Sequence, residues 1–163
     1  MKKIALISDT HSYFGKDIEK YLLKCDEIWH AGDIGDAATL EKYRKMKPLR
    51  AVYGNIDGYD VRIDTPEFKF FTMEDLKVLM IHIGGYPGRY TPQARELIIK
   101  YRPDIFISGH SHILKIMPDK KYDLLHINPG ACGNIGFHKV RTLVLFDLDC
   151  GNIQNVRVVE LAR

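Results

Sequence analysis

The sequence repeatedly sets a carboxylate, an amide or an imidazole at or just beyond the end of a short apolar run. Ile4 to Ser8 runs into Asp9-Thr10-His11, Glu27 to His30 into Ala31-Gly32-Asp33, and Leu49 to Tyr53 into Gly54-Asn55-Ile56-Asp57. Further on, Lys77 to Ile83 carries His82 near its end, and Ile105 to Ser108 leads into Gly109-His110-Ser111-His112. Oxygen and nitrogen donors of this kind suit a divalent cation such as Mn, Fe or Zn. The donors Asp9, His11, Asp33, Asn55, His82, His110 and His112 exceed the needs of one tetrahedral metal and match two cations that share a ligand. Two metals roughly 3.5–4 Å apart can clamp the attacking and leaving oxygens of an in-line phosphoryl displacement. The shared ligand must be a carboxylate. Imidazole supplies one neutral nitrogen, and Asn supplies a carbonyl oxygen without adding charge.

The elements that must position these donors follow from the apolar pattern. Runs such as Ile4 to Ser8 read as strands buried on both faces of an α/β sheet, where ligands collect beyond the carboxyl ends. Ile18, Tyr21 and Leu22 give a helix over Lys16 to Leu23. Asp36 is an N-cap for a helix to about Met46, limited by Pro48. With the strand from Leu49 to Tyr53, this makes strand, helix, strand, helix, strand. Right-handed crossovers then make the three strands parallel. Glu67 to Met73 and Lys77 to Ile83, joined by Glu74-Asp75-Leu76, read as a hairpin. Thr91-Pro92 opens a helix closed by Pro103. Leu114 to Met117 pairs with Leu124 to Asn128, and Thr142 to Asp147 with Gln154 to Glu160 around Cys150-Gly151-Asn152. Three helices cannot cover so many strands in one sheet, so two packed sheets with helices outside are expected, a layered α/β sandwich.

The bulk numbers agree. The 163 residues, without repeats or linkers, read as a single domain over 1–163. A net charge of +3 and scattered basic clusters give no nucleic-acid footprint. The three cysteines, Cys25, Cys132 and Cys150, are far apart, which suggests a reducing compartment and no disulfide framework. No run approaches membrane-spanning length, and the apolar run after Met1-Lys2-Lys3 is too short for a signal peptide. A cytoplasmic location is expected, and self-association stays open as a homo-oligomer.

Singly the pieces are weak. Asp-x-His arises by chance, and Gly-Asp and Gly-Asn are ordinary turn pairs. Gly-His-Ser-His is sharper, and the set in this order is strong. The remaining histidines read differently: His126 as a packed strand residue, His138 as exposed or at a cleft rim, His30 at best as a partner behind the ligands. Tyr86 and Arg89 follow His82 as candidate substrate contacts, Arg89 for a phosphate oxygen. A solvated loop arginine is the commoner case.

The order Asp-x-His, Gly-Asp, Gly-Asn, His and Gly-His-x-His resembles the calcineurin-like metallophosphoesterases. The short chain resembles their small phosphodiesterase branch, and Asn128-Pro129-Gly130 resembles a further family stretch. The resemblance implies a four-layer α-β-β-α sandwich of two mixed sheets with helices outside. It implies one metal held by Asp9, His11, Asp33 and His112, and a second held by Asp33, Asn55, His82 and His110, with Asp33 as the bridge. Manganese is the favoured cation, with Fe, Zn and Ni also fitting this donor set. A metal-bound hydroxide would attack the phosphorus of a small phosphate ester directly, without a phospho-enzyme. Two departures stand out. Many relatives carry a leaving-group histidine after Gly-Asn, where this chain has Ile56; and Ile83 separates His82 from Gly84. Asp57 is the nearest carboxyl to the first departure and joins Asp33, Asn55 and His82 in the candidate catalytic set. Two nearby cations would hold it ionised and make it a poor acid.

The alternative reading is a non-catalytic protein-binding scaffold, since the resembled family includes a trafficking subunit that has lost key ligands. Every ligand position here holds a competent donor, which favours the enzyme. Cys132 lacks an assignable activating base, and no Walker-type loop is present.

Overall fold

Ile4 and Leu6 face one side of β1 (Lys2–Ile7) and Ala5 and Ile7 the other, and all four are fully buried in the computed structural model, which describes residues 1–163. Both faces of the strand are therefore covered. On one side Ile4 and Leu6 join Trp29, Val78, Met80, Ile105, Ile107 and Ile127 in a cluster between two sheets. On the other, Ala5 and Ile7 pack under Ile18, Leu22 and Tyr43 of the helices. The inter-sheet cluster has 14 buried residues, more than any other, so sheet-on-sheet packing carries the largest share of apolar burial.

The first sheet has the order β10-β9-β1-β2-β3. Here β2 is Glu27–His30, β3 Leu49–Ala51, β9 Arg141–Asp149 and β10 Asn152–Leu161. The strands β1, β2 and β3 are parallel, whereas β9 runs antiparallel to β1 and to β10. The second sheet has the order β4-β5-β6-β8-β7, from β4 (Phe68–Met73), β5 (Leu76–Ile81), β6 (Ile105–Ile107), β7 (Leu114–Asp119) and β8 (Leu124–Pro129). Its centre, β5-β6-β8, is parallel, with antiparallel β4 and β7 on the edges. Pro118 lies in β7, where an edge tolerates the missing N–H. Both sheets are mixed.

Helices α1 (Lys16–Leu22) and α2 (Ala37–Met46) cover the first sheet, and α4 (Pro92–Tyr101) covers the second through Ala94 and Ile98 against Leu79 and Phe106. The result is the α-β-β-α sandwich. Asp36 Oδ1 accepts from Thr39 N at 2.7 Å and Thr91 Oγ1 from Ala94 N at 3.2 Å, so both expected N-caps form. The hairpins turn at Glu74-Asp75 and Cys150-Gly151, each pair at positive φ as the tight mirror-image turn requires. A short helix absent from the sequence reading, α3 (Tyr59–Arg62), follows β3 and buries Val61 against Ile34 and Leu40. No helix is long and apolar enough to cross a membrane.

Candidate metal centre

The donors converge because the loops beyond the strands are hydrogen-bonded to one another. Asp9 N donates to Gly32 O and His11 N to Asp33 O, at 2.9 and 3.0 Å, which carries the β1–β2 pairing past the sheet. Gly109 N donates to His82 O at 2.9 Å, which does the same between β5 and β6. His110 N crosses between the sheets to Asp9 Oδ2 at 3.1 Å, and Ser8 Oγ donates to the same oxygen at 2.7 Å. Both bonds occupy Oδ2 and leave Asp9 Oδ1 for the cluster. Asn128 braces the last loop, donating to Gly109 O and Ser111 Oγ. Ile83, exposed, leaves the placement of His82 intact.

Two groups of potential ligands result: Asp9, His11 and His112, and Asp33, His82 and His110, with the donor atoms of each group within 4.8 Å of one another. His112 Nε2 lies 3.3 Å from Asp9 Oδ1. Asn55 Oδ1 adds to the second group, 3.1 Å from His82 Nε2 and 2.9 Å from His110 Nδ1. Asp33 Oδ2 stands between the groups, 3.5 Å from His11 Nε2 and 3.2 Å from His82 Nε2. His82 Nδ1 is 2.7 Å from Ala31 O. A carbonyl only accepts, so Nδ1 carries a proton and Nε2 is the atom turned to the site.

Two observations fit the residues to divalent cations. Asp9 Oδ1 and His11 Nε2 are buried without a hydrogen-bond partner. Such orphans cost about 1–3 kcal/mol each, and a cation would satisfy both. The backbone is also held in the left-handed region at Asp9, His11, Asp33, His110 and His112, with φ of 54°, 45°, 58°, 73° and 62°. Each such residue costs about 1–2 kcal/mol, and strain of this kind collects where a side chain must be aimed.

The electrostatics of the ligand side chains agree. Burial works against ionisation of Asp33, but the close imidazoles of His11 and His82 prevail and hold its carboxyl well below the usual range. The Asp33 contact, though long, raises the pKa of His11. Burial disfavours a charged His82, yet Asp33 outweighs it and raises that pKa too. The Asp33 carboxylate thus favours positive charge at both imidazoles.

The remaining expected site residues fall elsewhere. The Asp57 carboxylate accepts from the N–H groups of Ile34, Gly35 and Gly54 at 3.1, 2.8 and 2.8 Å. It ties the loop after β2 to the loop after β3 and holds Gly54, the residue before Asn55. Gly54 is needed here because a Cβ would strike Asp33 Oδ1. Arg89 is exposed and lines neither of the two clefts that border the ligands. Tyr86 lies under Lys115 Nζ at 4.6 Å, in a small cavity beside His126 that shares Ser111 and Ile113 with the cleft next to His112. His30 is buried behind the ligands: it accepts from Gly32 N at 3.1 Å through Nδ1, so Nε2–H donates to Thr10 Oγ1 at 2.9 Å, and Thr10 donates to Ile34 O. His126 is a packed strand residue stacked on Phe106, and His138 lies at the rim of one cleft, 5.1 Å from the His112 ring. Arg62, which no motif marked, borders Asn55 in the other cleft, its Nε donating to Asp57 O at 2.6 Å.

Residues 1–151 match the calcineurin-like phosphoesterase superfamily domain. The chain belongs to this family. A probable metallophosphoesterase of Methanothermobacter thermautotrophicus is 32% identical over 133 residues, spanning 78% of this chain and 76% of the relative. One from Methanocaldococcus jannaschii is 31% identical over 134 residues, spanning 78% and 67%. Among solved structures, an archaeal phosphodiesterase superposes with a TM-score of 0.75 at 23% identity, over 98% of this chain and 99% of that one. Vps29 of Entamoeba histolytica, complexed with zinc, gives 0.74 at 15% identity over 98% of both. These structures share the metallophosphoesterase sandwich, and the curated relatives share the family name.

Proposed function

We propose that this metallophosphoesterase is a phosphodiesterase with a dinuclear centre, manganese being the favoured cation pair. The observation that carries the reading is the place of Asp33 Oδ2, within 3.5 Å of an imidazole from each ligand group. When bound, such a pair supplies Lewis-acid polarisation of the phosphoryl oxygens and activation of the attacking water. The chain's own residues do the rest. Asp33 would bridge the pair, Asn55 would contribute a neutral oxygen that leaves net positive charge for an anionic substrate, and the Ala31 carbonyl holds His82 with Nε2 turned to the site. The hydroxyls beside the ligands are engaged in support, Ser8 Oγ donating to Asp9 Oδ2 and Thr10 Oγ1 to Ile34 O, which favours direct displacement by water over a phospho-enzyme.

The test is hydrolysis of paired diesters and monoesters by the manganese-loaded protein, with the configuration at phosphorus followed using a chiral phosphorothioate ester. Inversion and diester preference are expected. Retention, or turnover by exhaustively demetallated protein, overturns the proposal. A protein-binding scaffold is the second reading, favoured by the likeness to Vps29; metal binding without any ester hydrolysis would support it.

A further inference from the structure

The ligand groups open on one side into a cleft of ≈ 580 Å³ whose far wall is apolar. His11, His110 and His112 form its floor, and Ile113, Ile135 and Phe137 rise from it. Neither a carboxylate nor a Lys or Arg lines it. Ile113 is 65% and Ile135 58% exposed, and the Phe137 ring is fully exposed. Large apolar side chains grouped at a site of polar chemistry mark a recognition surface.

The loop bearing this wall is fixed to the metal centre. His138 Nε2–H donates to Gly133 O at 2.8 Å, and the Arg163 guanidinium donates to His138 O. Gly136 lies so close to the His112 imidazole that a Cβ would collide with it. Phe137 is therefore carried on a loop seated against a candidate ligand. The opposite side of the centre differs. There a cleft of ≈ 240 Å³ beside Asn55 and His82 carries Arg62, Glu67 and Gln93 along with Tyr53, Ile81 and Ile83. A phosphoester held between the two has charged side chains within reach on one side and an apolar wall without carboxylate, Lys or Arg on the other.

We infer that Ile113, Ile135 and Phe137 are specificity residues that receive an apolar, uncharged substituent of the substrate ester. The inference rests on the phosphoesterase reading and adds the class of substrate: esters with an aryl or alkyl group, as against those with a second phosphate or another charge on that side. A charged substituent would be stripped of water against three apolar side chains with no partner. An apolar one gains by covering them.

The test uses manganese-loaded, full-length protein and diesters that share one p-nitrophenyl leaving group, with methyl, butyl, phenyl or carboxyethyl as the second substituent. A constant leaving group keeps the chemistry fixed. We expect kcat/KM to rise from methyl to phenyl by about tenfold or more, the scale of discrimination an apolar pocket gives, and to fall for carboxyethyl. Phe137→Ala and the double variant Ile135→Ala/Phe137→Ala should flatten that rise. A flat wild-type series, or a rise that survives the double variant, overturns the inference. Binding of phenylphosphonate and methylphosphonate to protein loaded with diamagnetic zinc, followed by NMR shifts of the Ile113 and Ile135 methyl groups, reads the cleft without turnover. Tighter phenylphosphonate binding with shifts at both residues supports it, and equal affinity overturns it. If no ester is hydrolysed, the phosphoesterase reading fails, and the phosphonate pair alone decides the cleft.

Discussion

Asp33 Oδ2 and His82 Nε2 meet at 3.2 Å, although one residue leaves β2 of the first sheet and the other β5 of the second. The contact closes the top of the inter-sheet interface, and it does so between a carboxylate and an imidazole. Both groups are almost wholly buried there. The same pair that joins the sheets thus belongs to the proposed metal centre, so folding and metal binding are thermodynamically linked.

Removing the carboxylate should therefore remove metal as well as activity. Asp33→Ala is expected to lose at least one bound manganese and to lower kcat/KM by on the order of 10²–10³ or more, the scale of a lost preorganised charge. Arg89→Ala, away from both clefts, should stay within about twofold. Elemental analysis of both variants decides the matter; two metals retained in Asp33→Ala would refute the bridge.

Stripping the metals should expose a pH dependence of known sign. The folded pKa values of His11 and His82 are raised above 6.5. Their contribution is fully present below about pH 6.5 and is lost as pH rises through the folded values. Ligation runs the other way, because metals need neutral imidazole and bind better as pH rises. Chelated protein should thus melt at lower temperature at pH 9 than at pH 6.5, and manganese should reverse that trend. A melting temperature of chelated protein that climbs over this range would contradict the assignment.

Asp57→Asn tests positioning. Three N–H groups converge on the Asp57 carboxylate, and an amide would present one of them with a donor. A loss of about 1–3 kcal/mol in urea unfolding is expected, together with weaker metal binding through a displaced Asn55. Were Asp57 a proton donor instead, stability and metal content would hold while only the pH–rate profile changed.

His126 carries an acid sensitivity of its own. Neither ring nitrogen has a hydrogen-bond partner, and burial pushes its pKa down to about 4. A depressed imidazole favours folding above the unfolded value of about 6.5 and loses that support as pH falls towards 4, a span worth up to about 3 kcal/mol. His126→Phe keeps the stack on Phe106 and has the neighbouring cavity for its extra volume. It should stabilise the protein most near pH 4, measured by urea unfolding across pH. Equal effects at pH 4 and 8 would mean that packing, not titration, dominates.

Much of this was readable along the chain because its signals are local. Asp36 and Thr91 announce helix starts by their own side chains, and each ligand sits next to the run that places it. The seat of Asp57 was not readable, since Ile34 and Gly35 are more than 20 residues away. Nor was α3, four residues with no apolar period to display. The insertion of β9 beside β1 is a third case: parallel and antiparallel neighbours of a fully buried strand leave the same apolar run. Arg62 and the Phe137 wall bear on the site only through the folding of distant loops. No spacing encodes them.

The leaving group offers a last test. General-acid help is typically worth ~10²–10⁴-fold, and Ile56 has no proton to give. Its backbone N–H donates to Asp33 Oδ1 at 3.0 Å and its side chain is partly exposed, so the position borders the centre. Aryl diesters should be cleaved readily and simple alkyl ones slowly, with a steep plot of log rate against leaving-group pKa. Ile56→His should flatten that plot by accelerating the poor leaving groups. A shallow wild-type slope, with chemistry rate-limiting, would point to another proton source.

The left-handed backbone at Asp9, His11, Asp33, His110 and His112 has a consequence for how such a chain can change over generations. Glycine relieves that conformation without strain, so at these positions the mutation that stabilises the empty fold is also the one that deletes a ligand. Selection for thermal robustness alone would wear the centre away within a few substitutions, while selection for the bound form holds every one of them in place. A variant library of this protein, screened for folding in chelator and separately in manganese, should diverge first at these five residues.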